Sequence, residues 1–290
     1  MLLSCTATHD QINLNMYEYR DTRNLVKFTV TAAKRVEEEG MRAISNFQEN
    51  RSEYQKSNFY LYVYTIEGEN LFHAGMKEFE GRNLSEITDL RGKKVITHVV
   101  EALDNRENPH AWIHYSWWEP GKFYPVPKSS CNFKVTTPEG QRVFVGAGMN
   151  YPHEEKEFIR ISVDTAVNLI NNIGSDAYEK IASPTSQYIY RDVRVFVFDS
   201  QGKALVSPVI NNSPTEIHFL ESTDEAGHQP FKRALEELET AATTWQVFLA
   251  KSRDKRQLVK KILYLRKTNH NGSPIYIGAV TDLPEPPWTS

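Results

Sequence analysis

The chain has 290 residues, 40% of them apolar and 11% aromatic, enough to build hydrophobic cores in one large domain or two ordinary ones. Its net charge of -3, with Lys and Arg scattered among Asp and Glu, leaves no basic stripe for nucleic acid and no polybasic tail for anionic lipid. The two cysteines, Cys5 and Cys131, supply neither a CxxC pair nor a zinc framework, and no apolar run approaches the ~18 residues of a membrane span.

The chain opens with Met1 to Cys5, read Met-Leu-Leu-Ser-Cys, which looks like the end of a bacterial lipoprotein signal without the basic and apolar regions that precede one. On this reading Cys5 is the lipidation site and residues 1–20 are a polar tether. From Asp21 to Asn50 apolar residues recur at helical spacing (Leu25, Phe28, Val30, Ala33, Val36, Met41, Ile44, Phe47), which predicts one long amphipathic helix bent at Gly40. Asn58 to Thr65 is aromatic and β-branched, Glu67-Gly68-Glu69 turns, and Asn70 to Ala74 returns, so this is a hairpin. A loop at Glu80 to Asn83 and a turn at Asp89 to Gly92 lead into a short helix, Lys93 to Leu103, with Val95, Val99, Val100 and Leu103 turned inward.

Trp112 to Phe133 is the stretch around which the first half is organised. Strand alternation puts Ile113, Tyr115 and Trp117 on one face and Trp112, His114, Ser116 and Trp118 on the other. Pro120-Gly121 breaks the strand, and Pro125-Val126-Pro127-Lys128 starts the next. Aromatic walls with one lysine suit a small anion; the competing reading is a Tyr/Trp-rich sheet packed on a helix, with Lys128 in water. After a turn at Pro138-Glu139-Gly140, a strand from Gln141 to Ala147 closes the sheet.

A second amphipathic helix runs from Glu154 to Ile181, with a break at Gly174, and the pattern then repeats. Tyr188 to Gly202 aligns with Tyr54 to Gly68 at an offset of 134; at an offset of 132, Lys128 falls on Lys260, Lys134 on Arg266, Gly140 on Gly272, Gly146 on Gly278 and Pro152 on Pro284. Gln229 to Ala241 is a helix standing where 93–103 stood, followed by a strand from Thr244 to Ala250. The fold class expected is α+β: two repeated units, 21–152 and 153–290, each a long N-terminal helix plus a mostly antiparallel sheet. With Trp112 set on Trp245, Phe248 faces Tyr115 and Ala250 faces Trp117, so the second copy lacks the polar aromatics and is expected to be structural or partner-facing.

These residues carry a resemblance to the Cache family, the extracytoplasmic sensing domains of chemoreceptors and sensor kinases. The first unit resembles the single-Cache type through the hairpin ending in Phe72-His73, Gly81-Arg82-Asn83, Asp89 and Gly92, Tyr115-x-Trp117-x-x-Pro120-Gly121, Pro125 to Lys128, and Gly146-x-Gly148. It departs at Cys131, where the family commonly has tyrosine, and at Gln141 and Val143, where tryptophans are usual. The resemblance implies binding of a small molecule, a short carboxylic acid in many relatives, with Lys128 as charge partner, Tyr115 and Trp117 as wall and His73 as a further contact. It also implies a periplasmic or cell-surface protein that signals through a membrane sensor or receptor partner, lipid-anchored if Cys5 is modified. The rival readings are a ligand-free structural protein of the envelope, and an enzyme. Against an enzyme, the chain has no Gly-x-Ser-x-Gly, His-Glu-x-x-His, P-loop or Gly-x-Gly-x-x-Gly. No metal or other cofactor is expected, His153-Glu154-Glu155 reading as a solvated helix start. Lys128→Ala is expected to weaken binding with little change in stability, and Lys260→Ala to leave binding intact.

Overall fold

The structure, a computed structural model, describes residues 12–56, 59–104, 111–118, 124–150, 155–190, 193–208, 217–251 and 257–283. Cys5, the Pro120-Gly121 turn, His153 and Pro284 lie outside the described residues. The chain divides into two compact units, Met1–His153 and Glu154–Ser290.

In the first unit, α1 (Arg20–Glu39) and α2 (Met41–Glu49) replace the single helix expected over 21–50. The division falls at Gly40, whose φ of 59° and ψ of -133° are closed to residues with a β-carbon, so the helix stops there and restarts in a new direction. Strand β1 (Phe59–Thr65) turns through Gly68 into β2 (Asn70–His73). Helix α3 (Val95–Leu103) buries Val95, Ile96, Val99, Ala102 and Leu103. Val100, expected inward, is only half-buried, because the 3.6-residue period centres the apolar face on Val99. Then β3 (Ala111–Trp118), β4 (Pro125–Thr136) and β5 (Arg142–Asn150) complete a five-stranded antiparallel sheet of order β2-β1-β5-β4-β3. The closing strand runs three residues beyond its expected end at Ala147.

Period-2 alternation gives this sheet two unlike faces. Leu61, Val63, Phe133, Val145 and Ala147 are fully buried on one of them. That face carries α1 and α2: Phe28 of α1 meets Phe59 with ring centroids 5.2 Å apart, and Phe47 of α2 meets Phe72 at 5.7 Å. Each such apolar side chain contributes about 1.5–3 kcal/mol on burial. Tyr17, inside the segment expected to be a tether, is also packed here: it is buried, and its hydroxyl accepts a 3.1 Å hydrogen bond from Trp112 Nε1.

In the second unit, α4 (Glu155–Ile173) and α5 (Asp176–Ala182) are separated at Gly174. Three short pieces follow, β6 (Ile189–Tyr190), β7 (Val193–Arg194) and β8 (Phe196–Asp199), then β9 (Ala204–Val206) and α6 (Pro230–Glu237). Strands β10 (Thr243–Lys251), β11 (Leu258–His270) and β12 (Ser273–Asp282) end the described chain. The second five-stranded sheet has the order β9-β8-β12-β11-β10, the first sheet's order with the elements in the same sequence roles.

The registers align the two sheets residue by residue. Tyr62 pairs with Gly146, and Phe196 with Gly278, which are the offsets of 134 and 132 read from the sequence. The bulge between Val63 and Tyr64 recurs between Val197 and Phe198. Two alignments are corrected, Lys128 on Lys260 and Lys134 on Arg266; Lys134 pairs with Phe144 and Lys267 with Tyr276, so Lys267 holds the position of Lys134. Tyr115 pairs with Lys128, and its counterpart Phe248 pairs with Lys261, so the residue in the position of Lys128 is Lys261 and not Lys260. The physical reason is the turn: Thr136 to Arg142 encloses five residues, whereas Asn269 to Pro274 encloses four, closing tightly through Asn271 and Gly272 with φ of 50° and 78°. The offset is therefore 133 before that turn and 132 after it.

Candidate functional site

The face of the first sheet opposite α1 and α2 is polar and buried. Paired residues of antiparallel strands share a face, so Tyr60, Tyr62 and Tyr64 of β1 lie with Gly148, Gly146 and Phe144 of β5. Across β5 come Lys128, Ser130 and Asn132 of β4, and beyond them Tyr115, Ile113 and Ala111 of β3. His73 pairs with Tyr62 and joins the same face. All four residues singled out for the ligand site, Tyr115, Trp117, Lys128 and His73, are thus brought to one surface.

The two glycines make that surface possible. A β-carbon on Gly146 would stand 2.2 Å from Asn132 Oδ1 and 2.3 Å from Tyr62 Cε2, and one on Gly148 would stand 2.9 Å from Lys128 Cδ. Their bare backbone is the floor on which the side chains of both neighbouring strands lie. Lys128 is 0% exposed, which overturns the reading that leaves it in water and with it the expectation that Lys128→Ala changes stability little. Its ammonium sits 3.7 Å from the centroid of the Tyr60 ring, where the ring's negative face stabilises it.

His73 is held at the end of the hairpin by main-chain clamps. Its carbonyl accepts from Arg51 Nη1 at 2.6 Å, its N–H donates to Glu80 Oε1 at 3.1 Å, and Arg51 and Glu80 form an ion pair at 2.7 Å. The ring's Nδ1 accepts the Met76 N–H at 2.9 Å, so the neutral tautomer carries its proton on Nε2. Burial, then Lys128, then Arg51 push its pKa down to about 3, which keeps the ring uncharged at neutral pH. The ring stacks on Tyr62 at 5.9 Å and meets Phe79 edge-on at 5.5 Å, and Phe79 in turn meets Trp117 at 6.1 Å.

The middle of the face is a hydrogen-bond network that the sequence reading missed. Tyr62 donates to Asn132 Oδ1 at 2.9 Å, and Asn132 Nδ2 donates to Ser130 Oγ at 3.1 Å. Burial raises the pKa of Tyr115 to about 12 and that of Tyr62 well above its ordinary value, so both phenols stay protonated. Asn150, opposite Lys128, has its amide oxygen buried with no hydrogen-bond partner among the described residues. The signal was present in the sequence: Tyr60-x-Tyr62-x-Tyr64 and Lys128-x-Ser130-x-Asn132 alternate in step with Gly146-x-Gly148. The departure at Cys131 does not touch this surface. Cys131 pairs with Trp112 and Ala147 on the face that carries α1 and α2, is buried, and has its thiol pKa pushed up by that burial.

Chemically, the face offers the Lys128 ammonium, the neutral His73 imidazole N–H and the phenols of Tyr60, Tyr62, Tyr64 and Tyr115 in surroundings from which water is largely excluded. Its positive charge and neutral donors have the polarity that suits a small anion. Among the described residues no cluster of His, Cys, Asp and Glu could hold a metal ion, and no helix is long and apolar enough to cross a membrane.

No curated protein matches the chain. Among solved structures it is similar to a periplasmic sensor domain of a chemotaxis protein, at 26% identity over 46% of this chain and 89% of that one, TM-score 0.34. It is similar also to a Cache chemosensory domain described for carboxylic acid recognition, at 18% identity over 49% of this chain and 100% of that one, TM-score 0.37. The periplasmic sensory domain of the Campylobacter jejuni chemoreceptor Tlp1 is a third, at 12% identity over 89% of this chain and 87% of that one, TM-score 0.35. The family model described as Cache domain matches residues 8–279, nearly the whole chain and both units. The chain belongs to the Cache domain family.

Proposed function

We propose that this protein is an extracytoplasmic sensor of a short carboxylate, which it binds on the polar face of the first unit and reports to a partner protein. The observation that carries the reading is the convergence of Lys128, His73, Tyr115 and Trp117 on one buried face above the Gly146-x-Gly148 floor. A carboxylate there gains an ion pair with Lys128 in a medium of low dielectric, where the attraction is several times its strength in water. Tyr115 and Trp117 give it rigid walls, and His73 Nε2–H with the Tyr115 hydroxyl supplies neutral donors that orient it. The family supports sensing in general; the charge and hydrogen-bond inventory supports an anion in particular. Catalysis is no part of this role. The division of labour proposed is a sensing unit over 21–152 and a second unit over 153–290, with a lipid on Cys5 as the membrane attachment. Mass spectrometry of the mature protein from its own host tests the anchor, and an unmodified Cys5 thiol rules it out. Isothermal titration of wild-type and Lys128→Met protein with short carboxylic acids tests the site. Met keeps the buried stem and removes the charge, so loss of binding without loss of folding is the expected result.

A further inference from the structure

The second unit carries an open cleft of about 480 Å³, lined among others by Arg194, Phe196, Phe219, Phe231 and Lys261. It lies on the face of the second sheet that corresponds to the polar face of the first, because Phe196 stands in the position of Tyr62 and Lys261 in that of Lys128. The network of the first unit is gone. Tyr62, Ser130, Asn132 and Tyr115 become Phe196, Leu263, Leu265 and Phe248, and a phenylalanine cluster fills the middle. Positive charge is kept and increased: Lys261 holds the lysine position, and at the sequence offset of 134 Arg194 stands where Tyr60 stood.

Arg194 is the informative residue. It is 8% exposed, and its Nη2 donates to the Ala182 carbonyl, while Nε and Nη1 are buried with no hydrogen-bond partner among the described residues. Unpaired buried donors on a charged group are costly, and burial lowers this guanidinium's pKa below its ordinary value. Lys261 already has an ion pair with Asp282, and Lys251, also on the cleft wall, lies 3.9 Å from Glu225. Among the described lysines and arginines of the cleft wall, the one without an ion pair is therefore Arg194. Beside it the rings of Phe196 and Phe219 stack with centroids 4.8 Å apart, and Phe219 meets Phe231 at 4.9 Å.

We propose that this cleft is a second ligand site, for a small organic anion with a planar apolar body, such as an aromatic carboxylate. The carboxylate pairs with the buried guanidinium of Arg194 on the cleft wall, with Lys261 as the second positive charge, and the ring lies against the phenylalanines. The site is independent of the one in the first unit and differs from it in chemistry, being one of arginine and phenylalanine and not of lysine, tyrosine and imidazole.

The test is isothermal titration of the full chain with benzoate. Wild-type protein is expected to bind it, Arg194→Gln to weaken binding by about tenfold or more through loss of a charge-assisted hydrogen bond, and Lys128→Met to leave it unchanged. Ser222 is an exposed residue of the cleft wall whose hydroxyl donates to the Phe219 carbonyl at 2.6 Å, so Ser222→Phe blocks the opening at the cost of that one hydrogen bond and is expected to abolish benzoate binding while the melting curve still shows a folded second unit. This variant decides the matter alone if Arg194→Gln does not fold. The proposal is overturned if wild-type protein gives no benzoate heat up to the solubility of the probe. Binding that survives Ser222→Phe, or that is lost with Lys128→Met, overturns it equally.

Discussion

Replacing Gly146 with alanine is the sharpest test of how the first unit builds its polar face. The added methyl would stand 2.2 Å from Asn132 Oδ1 and 2.3 Å from Tyr62 Cε2, where ordinary contact begins at 3.4 Å. The Tyr62 ring therefore has to move by more than 1 Å, and neither neighbour is the loose end of a flexible side chain, since each is bonded to the other at 2.9 Å. Overpacking of this kind costs about 1–3 kcal/mol, and breaking the Tyr62–Asn132 bond in a buried site adds about 1–2 kcal/mol. The expected loss is about 2–5 kcal/mol, a fall in melting temperature of roughly 5–15 °C for a unit of this size. Calorimetric and urea-denaturation scans measure it. Gly278→Ala, at the matching position of the second sheet, meets Tyr264 O at 2.9 Å and the Phe196 ring at 3.0 Å and should cost less. A Gly146→Ala protein within about 0.5 kcal/mol of wild type, inside the range of ordinary surface substitutions, would refute the reasoning.

Three further outcomes follow from the same geometry. Burial lowers the pKa of both His73 and His114 from 6.5 to about 3, so between those values the unfolded chain binds protons that the folded chain refuses. Stability should be fully present above pH 6.5 and fall by about 1.4 kcal/mol per pH unit per histidine below it, and urea titrations of wild-type and His73→Gln protein at pH 7 and 5 should show the smaller fall in the variant. Tyr62→Phe leaves Asn132 Oδ1 without its donor and should cost about 1–3 kcal/mol in the same assay, more than a phenol-to-phenyl change at the surface. In a Cys5→Ser background the buried Cys131 thiol should resist a disulfide reagent until the protein unfolds; rapid modification of folded protein would contradict its placement on the face that carries α1 and α2.

Much of this was legible in the sequence because strand alternation is a rigid rule. Once Tyr115 and Trp117 share a face, pairing with β4 determines that Lys128 shares it, and the Gly-x-Gly of β5 marks where neighbouring side chains need room. What alternation does not say is how a face is covered. Whether Lys128 lies in water or beneath a ring depends on Tyr60 two strands away and on the loop that brings Phe79 over His73. The network through Tyr62, Ser130 and Asn132 escaped notice for the same reason: each is ordinary alone, and only the register makes them neighbours. The misassignment of Lys260 has a different cause. A turn one residue shorter shifts everything on its N-terminal side by one, and in a strand a shift of one exchanges the faces, so exposed Lys260 was taken for Lys261.

The central claim is that Lys128 is the charge partner of a carboxylate ligand, and calorimetric titration of three proteins with acetate, propionate and succinate tests it directly. Wild-type protein should bind at least one of these acids. Lys128→Met should weaken that binding by about 10- to 100-fold, the equivalent of about 1.5–3 kcal/mol for a hydrogen bond to a charged group, while its melting curve still shows a folded first unit. Lys260→Ala, whose side chain is exposed, should bind as wild type does. Undiminished binding by a folded Lys128→Met protein would contradict the account, as would equal losses from both substitutions.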